Sequence, residues 1–297
     1  MATYPLHITD VPYSTESRLN TLDICLPRPL EESPKNAHWV VYIHGGAWRD
    51  PLITASSIRP TIDHLLKTNS PALAQIAGFA SIHYRLSPYP NHPTHPTRLD
   101  PKSTEARIEG RSVAHPTHQE DVLQALAWLR DAYNLADPDR QSGAWSYVLV
   151  GHSCGATLAL QAAIKLKLPP VAVAGIAGIY DIPTFAQNHV DVPVYGEILA
   201  GAFGGGPIDQ SMKKRWEEAS PAHAVKQHDS GWGLRRLVLA QSRADELVEW
   251  EQTELMRGQA QKSFPVQVLE IGGHHDQCWQ DGDGVAQTIE ALLTGLS

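Results

Sequence analysis

A serine between two glycines follows an apolar segment of the chain. Residues 147–150 read YVLV, the next five residues (151–155) read GHSCG, and an Ala- and Leu-rich helical pattern covers 155–168. A Gly-x-Ser-x-Gly sequence between a strand and a helix is typical of a sharp turn that exposes a nucleophilic serine at the carboxyl edge of a sheet. The flanking elements favour this interpretation over a chance match in a glycine-rich loop. We therefore predict that Ser153 is a nucleophile.

A second glycine-containing segment predicts where an oxyanion would be held. The apolar residues 39–43 are followed by HGGAW at 44–48. Acyl transfer passes through a tetrahedral intermediate, whose oxyanion is stabilised by preorganised backbone N–H donors. The segment resembles the His-Gly-Gly-Gly motif of lipases and esterases. It predicts the amides of Gly46 and Ala47 as two donors, with the amide of Cys154 as the third.

A serine is a weak nucleophile unless a histidine accepts its proton. Downstream of Ser153, the pair His274 and His275 follows the last apolar segment, residues 266–271. This position predicts a loop at the carboxyl edge of the sheet, close to the serine. The other downstream histidines fall in a predicted insertion. Position along the chain therefore leaves either member of the pair as the base.

The acid that orients such a histidine is expected between the serine and the histidine in chain order. Asp245 lies in the segment that follows the apolar residues 237–240, and Glu246 is the second candidate. An aspartate before a helical pattern also serves as a helix N-cap. Because serine, aspartate and histidine each follow a predicted strand in the expected order, we predict that Asp245 is the acid.

The pattern of apolar residues predicts the elements that position these groups. Short apolar segments alternate with helical patterns, such as residues 119–132 with apolar side chains at the helical period. The apolar segments are 39–43, 79–84, 147–150, 171–176, 237–240 and 266–271. Such alternation predicts a mostly parallel sheet with helices on both faces. Residues 5–11 and 19–26 are expected to add an antiparallel start.

Two segments interrupt the alternation. Residues 91–116 are rich in His, Pro, Thr and Arg and show no period, which indicates a long surface loop. Residues 184–232 lie between two predicted strands, and we interpret them as an insertion of the lid type. With no internal repeat, we expect one α/β domain over residues 1–297.

Composition narrows the function classes. The chain has 297 residues and a net charge of −8, which argues against nucleic-acid binding because that needs a basic surface. No apolar segment is long enough to cross a bilayer, and the N-terminus has no signal-peptide pattern. Three cysteines suit a reducing compartment. We expect a cytoplasmic protein, and a homodimer is compatible with the sequence.

The chain contains 15 histidines, and histidine is a common metal ligand. His92 and His95, and likewise His115 and His118, have a spacing that would suit ligands on a helix. The first pair lies among prolines and is not accompanied by a cluster of cysteines or carboxylates, and the open three-ligand site of a catalytic metal is not visible. We therefore predict no metal and no cofactor.

Several motifs together resemble the kynurenine formamidases (arylformamidases) of the α/β-hydrolase superfamily, which are related to esterases of the hormone-sensitive-lipase type. The motifs are HGGAWRDP at 44–51, HYRLSP at 83–88, GHSCGA at 151–156, SRADEL at 242–247 and GGHHD at 272–276. The resemblance covers residues 39–276 and implies the α/β-hydrolase fold with a lid insertion. In that family the catalytic histidine belongs to a His-x-Asp arrangement, which implies His274 as the base. The segment 91–114 and the doubled histidine depart from the family pattern.

The resemblance also implies a substrate. It is N-formyl-L-kynurenine, hydrolysed to L-kynurenine and formate in tryptophan degradation. We expect Trp48 and Tyr84 to line the pocket, with packing in the core as the alternative for Trp48. A general carboxylesterase acting on short acyl esters would use the same residues and is the main alternative. A binding protein on an inactive hydrolase scaffold is disfavoured, because Ser153, Asp245 and His274 are all present.

Overall fold

The computed structural model describes residues 3–94, 104–136, 143–167, 169–204, 210–225 and 233–296. In this part of the chain the strands are β1 (Leu6–Pro12), β2 (Thr21–Leu26), β3 (His38–Ile43), β4 (Ile76–Ile82), β5 (Ser146–His152), β6 (Ala172–Ile176), β7 (Arg236–Ser242) and β8 (Val266–Ile271). The α-helices are α1 (Arg59–Lys67), α2 (Thr104–Glu109), α3 (Thr117–Tyr133), α4 (Cys154–Lys165), α5 (Ile182–Asn188), α6 (Pro193–Phe203), α7 (Gln210–Ala219), α8 (Pro221–Val225), α9 (Trp250–Ala260), α10 (Gln277–Gln280) and α11 (Asp283–Thr294).

The strands form one sheet in the order β1-β2-β4-β3-β5-β6-β7-β8. The first strand pairs antiparallel with β2, and β2 pairs antiparallel with β4. Every later pairing is parallel. The predicted α/β-hydrolase fold, a mostly parallel sheet flanked by helices with an antiparallel start, is therefore confirmed.

Both faces of the central strands β3 to β7 are buried, which explains why these strands are apolar at nearly every position. In β3, Trp39, Val41 and Ile43 pack into one hydrophobic core, and Val40 and Tyr42 into the other. Helices α3 and α4 cover the first face, and α1 and α11 cover the second. The two cores hold the carboxyl ends of the central strands in fixed relative positions.

The two segments that interrupt the alternation lie partly outside the described residues. The predicted surface loop 91–116 contains the helix α2, and residues 95–103 of it are not described. The predicted lid segment 184–232 holds helix α6, α7, α8 and most of α5, while 205–209 and 226–232 are not described. Its role as a lid stays a prediction. Across the described ranges, no helix has the length and apolar character that crossing a bilayer requires.

A buried ion pair connects the segment after β4 to α3. The Arg85 guanidinium donates to both carboxylate oxygens of Asp121, with Nη2 2.6 Å from Oδ1 and Nε 3.0 Å from Oδ2. The backbone N–H of Arg85 also donates to Asp121, at 2.9 Å. The Asp121 side chain is fully buried and that of Arg85 almost so. Removing one partner would leave an uncompensated buried charge.

We expect Asp121→Asn to lower the free energy of unfolding by about 3–5 kcal/mol, because the guanidinium loses its buried counter-ion and keeps only the half-exposed Glu16, 3.0 Å from Nη1. Urea denaturation followed by circular dichroism measures the change. The matched control is Asp131→Asn, since Asp131 pairs with Arg130 at an exposed position and should cost less than about 1 kcal/mol. Equal losses in the two variants would contradict this account.

Candidate active site

Ser153 lies at the sharp turn between β5 and α4. Its backbone has φ 53° and ψ −126°, a region that a residue with a side chain rarely adopts and that is typical of functional turns. A Cβ atom at Gly151 would overlap the backbone of Gly155, and one at Gly155 would overlap the carbonyl oxygens of Ile43 and His44. Only glycine fits at these two positions, so the turn brings Ser153 to the carboxyl edge of the sheet.

His275 and Asp245 form a buried pair at the same edge. The loop after β8 carries His275 and the loop after β7 carries Asp245, and these two strands are parallel neighbours. His275 Nδ1 lies 2.8 Å from Asp245 Oδ2 and 3.0 Å from Oδ1. Both side chains are almost fully buried.

The surroundings of Asp245 favour its carboxylate form. Burial raises the pKa of this carboxyl group, but the hydrogen bond from His275 and the backbone N–H donors of Val248 and Leu247 outweigh it. The net pKa lies below the ordinary value. Because the two amides donate to Oδ1 at 2.9 Å, Asp245 also fixes its own loop. It does not cap α9, which begins at Trp250 with Glu249 as its N-cap residue.

His274 points away from this pair. Its side chain is 74% exposed, and its Nδ1 lies 3.3 Å from the Oε2 atom of Glu246. Glu246 also accepts the backbone N–H of His275 at 3.1 Å. Consecutive residues in a turn direct their side chains differently, so only one of the two histidines reaches Asp245. The structure brings His275 to that position, whereas the His-x-Asp resemblance had implied His274.

The segment after β3 lies beside Ser153. Gly46 has φ +97°, and Ala47 and Trp48 have φ 51° and 58°, so three consecutive residues hold a left-handed conformation. Gly46 and Ala47 line the same cleft as Ser153, and the backbone N–H of Trp48 donates to Cys154 Sγ over 3.2 Å. Cys154 begins α4, where the first backbone N–H groups lack partners within the helix.

Two residues predicted to line the pocket are instead in the core. Trp48 is almost fully buried and packs edge-on against Phe203, with 5.2 Å between ring centroids. Tyr84 is fully buried and its hydroxyl donates to the carbonyl oxygen of His44 at 2.9 Å. Neither is among the residues lining the cleft. Both side chains pack in the core behind the glycine-containing segment. For Trp48, packing in the core is the alternative that the sequence left open.

The cleft in front of Ser153 has a volume of about 280 Å³. Its wall is mostly apolar, and α6 contributes Val194, Tyr195 and Ile198. A second cavity, of about 230 Å³, lies on the other side of α6 and shares Tyr195 with the cleft. The charged residues of the cleft are Arg49, Asp50, His275 and Asp276, of which the histidine is charged only when protonated.

Comparison with curated proteins gives relatives of the full length of the chain. A kynurenine formamidase of Aspergillus versicolor is 33% identical over 306 residues, covering 95% of this chain and 98% of that protein. The chain belongs to the kynurenine formamidase family. A kynurenine formamidase-like hydrolase of Fusarium equiseti is 32% identical, covering 98% and 95% of the two chains. The sequence-based assignment to this family, and to the hydrolases, is confirmed. No family model matches the chain.

Solved structures similar to this family member include esterases and a lipase. A truncated carbohydrate esterase from gut microbiota has a TM-score of 0.63 and 18% identity, covering 99% of this chain and 98% of that one. A hormone-sensitive lipase from a metagenome library has a TM-score of 0.61 and 16% identity, covering 93% and 81%. At these identities the similarity establishes the fold alone.

Two side chains of the site lie within the motifs of this family, but the sequence predicts no role for either. His152 lies fully buried beneath His275: its Nε2 donates to the His275 carbonyl oxygen at 3.0 Å, and the rings are 4.7 Å apart. Burial first, and the neighbouring His275 second, lower the pKa of His152 to about 3, so it is neutral. The other is Arg49, which lines the cleft. From the sequence, His152 is only a residue of the nucleophile turn and Arg49 only a residue of a family motif.

The histidines considered as metal ligands are engaged in other contacts or lie outside the described residues. His118 is fully buried with Nε2 3.1 Å from the Ser87 hydroxyl, and His95 is not described. Within the described ranges, the group whose possible ligand atoms lie within 4.8 Å of one another is His152, His275 and Asp276. Both histidines already use one nitrogen in the bonds given above. The absence of a metal stays a prediction.

Proposed function

We propose that the chain hydrolyses N-formyl-L-kynurenine to L-kynurenine and formate, a step of tryptophan degradation, with Ser153, His275 and Asp245 as the catalytic residues. The observation that carries the proposal is that Ser153 and His275 line one cleft while Asp245 holds His275 from behind. Full-length relatives named kynurenine formamidases support the substrate.

We assign the base to His275 in place of His274. With Nδ1 bonded to Asp245, His275 has Nε2 left to accept the serine proton, which is the arrangement of a Ser-His-Asp triad. His274 is directed to solvent beside Glu246. The carboxylate of Asp245 stabilises the imidazolium that forms and does not itself take the proton.

In the first half of the reaction, Ser153 Oγ attacks the formyl carbon and its proton passes to His275. The backbone N–H groups of Gly46, Ala47 and Cys154 donate to the oxygen that becomes negatively charged. The C–N bond then breaks as His275 returns the proton to the arylamine nitrogen, and L-kynurenine leaves. In the second half, water attacks the formyl-serine ester while His275 takes its proton, and formate leaves as Ser153 Oγ is reprotonated.

A carboxylesterase acting on short acyl esters is the second candidate, because several of the solved structures with this fold are esterases. The same nucleophile and donors would serve an ester, so the two functions differ in the groups that bind the leaving part of the substrate.

The two candidates are separated by kcat/KM for N-formyl-L-kynurenine and for p-nitrophenyl acetate, both followed by absorbance. We expect the formamide to be preferred on the order of 10²-fold or more, because binding energy from the leaving group is used at the transition state. The Ser153→Ala variant supplies the blank for both assays. A higher kcat/KM for the ester would overturn the proposed substrate while leaving the serine mechanism intact.

A further inference from the structure

The cleft contains a buried cation that the reaction steps do not use. Arg49 follows the glycine-containing segment, and its side chain is only 5% exposed. Among the described residues that line the cleft, it is the only arginine or lysine. Buried charges in proteins are normally paired and hydrogen-bonded, because desolvation of an unpaired charge is costly. The partners of Arg49 therefore decide what this side chain does.

The protein provides only part of that pairing. In the described part of the chain, the carboxylate that pairs with the guanidinium belongs to Glu197 on α6, and the Nη1–Oε2 distance of 3.8 Å is too long for a hydrogen bond. Glu197 is itself 54% exposed, so its charge is strongly screened by water. The guanidinium lies over the ring of Tyr89, 4.1 Å from the centroid. That stacking covers one face and leaves the N–H groups at the edge available.

Among the described residues no side chain or backbone group accepts a hydrogen bond from this guanidinium. A planar guanidinium in an apolar cleft suits a carboxylate, which it binds through two parallel hydrogen bonds. The substrate of the proposed function has such a group, since its leaving part ends in an α-amino acid. Asp50, the next residue of the chain, also lines the cleft, and its negative charge is complementary to the ammonium group of an amino acid.

We propose that Arg49 binds the α-carboxylate of the substrate and thereby selects aryl formamides with a free amino-acid end. This inference rests on the proposed function. The stacked Tyr89 holds the guanidinium in the cleft, and Glu197 balances its charge when the cleft is empty. Arg49 is then a specificity-determining residue that acts at the leaving-group side, away from the formyl group.

The test compares N-formyl-L-kynurenine with its α-carboxamide, in which an NH2 group replaces one carboxylate oxygen and the negative charge is removed. For the unaltered protein we expect kcat/KM to favour the acid. In Arg49→Gln we expect this acid-to-carboxamide ratio to fall on the order of 10- to 100-fold, mainly through KM, because a charge-assisted bidentate contact is lost. Arg49→Lys should lose less than Arg49→Gln, since it keeps the charge but not the fork.

Two control variants separate substrate binding from structural support. Arg257→Gln removes an exposed arginine of α9 that pairs with Glu254, and the acid-to-carboxamide ratio should stay within about twofold of the unaltered protein, because an exposed pair contributes little. Glu197→Gln removes the ion pair but leaves the guanidinium in the cleft. We expect it not to lower the ratio. If Glu197→Gln lowered the ratio as much as Arg49→Gln does, the pair would serve to hold α6 and the proposal would be overturned.

Measuring ligand affinity directly tests the role of Arg49 independently of turnover. Calorimetry of the acid and the carboxamide with Ser153→Ala, and with Ser153→Ala combined with Arg49→Gln, should show that only the acid loses affinity. Equal affinity of both ligands for the Ser153→Ala protein would contradict the role of Arg49 even if hydrolysis is observed. Hydrolysis of p-nitrophenyl acetate without hydrolysis of either formamide would instead contradict the proposed function, and the calorimetry would still decide on Arg49.

Discussion

Replacing His275 by glutamine is expected to lower kcat for N-formyl-L-kynurenine by on the order of 10⁴-fold or more, since a triad histidine acts with the serine as one unit. The glutamine cannot accept the proton of Ser153, and the hydrogen bond from Nδ1 to Asp245 is lost with the ring. KM should change little because the cleft keeps its apolar wall. Steady-state kinetics with the folded variant measures both constants.

The neighbouring residue provides the matched control. His274→Gln replaces the same residue type one position earlier, at a side chain that is exposed and faces Glu246. We expect kcat to stay within about threefold, since no group of the cleft depends on it. A loss in His274→Gln with activity retained in His275→Gln would reverse the assignment, and equal losses would show that the loop as a whole had been disturbed.

Mild acid is expected to unfold the protein, because the folded state buries several histidines in their neutral form. Burial lowers the pKa of His44, His118 and His152 to about 3 in each case. In the unfolded chain a histidine has a pKa of about 6.5. Below that value the unfolded state therefore binds protons that the folded state excludes, and unfolding becomes more favourable as the pH falls.

The direction and size of the effect follow from the two pKa values. The stability is fully present above pH of about 6.5 and is lost progressively as the pH falls toward the folded-state value. Between pH 7 and pH 5 each of the three groups costs about 2 kcal/mol, so together they remove about 6 kcal/mol. That is comparable to the whole free energy of unfolding of a typical domain, about 5–15 kcal/mol. His83 and His115, with pKa values lowered to about 4 mainly by burial, act in the same direction.

Urea denaturation at several pH values between 7 and 5 measures this effect. We expect the free energy of unfolding to fall by about 4 kcal/mol per pH unit in the lower part of that range, as three protons are taken up on unfolding. His118→Gln should reduce the slope by about one proton, and the exposed His7→Gln should not change it. A free energy of unfolding that is the same at pH 7 and pH 5 would contradict the prediction.

The fold was predictable because its signals are local. The strands β3 to β7 are short apolar segments buried on both faces, and the turn at Ser153 requires glycines on both sides. Each of these constraints leaves a mark within about ten residues of sequence. The parallel direction of these strands also follows from the alternation of strands and helices. The boundaries of β7 and β8 matched the apolar segments to within a few residues.

The choice between His274 and His275 was not a local matter. It depends on which side chain of a turn after β8 is directed toward a carboxylate in a loop after β7, and no sequence period expresses that direction. The same is true of Arg49, whose meaning depends on Tyr89, Glu197 and the cleft. The burial of His152 beneath His275 is likewise visible only when both loops are placed.

Helix α6 lies between two cavities, one that contains Ser153 and one on its far side. The reacting groups, in contrast, stand on turns anchored in two packed cores. The apolar wall of the cleft and the strand-end turns thus belong to different stretches of the polypeptide. Substitutions at Val194, Tyr195 and Ile198 are expected to change the shape of the wall while the strand ends keep their positions.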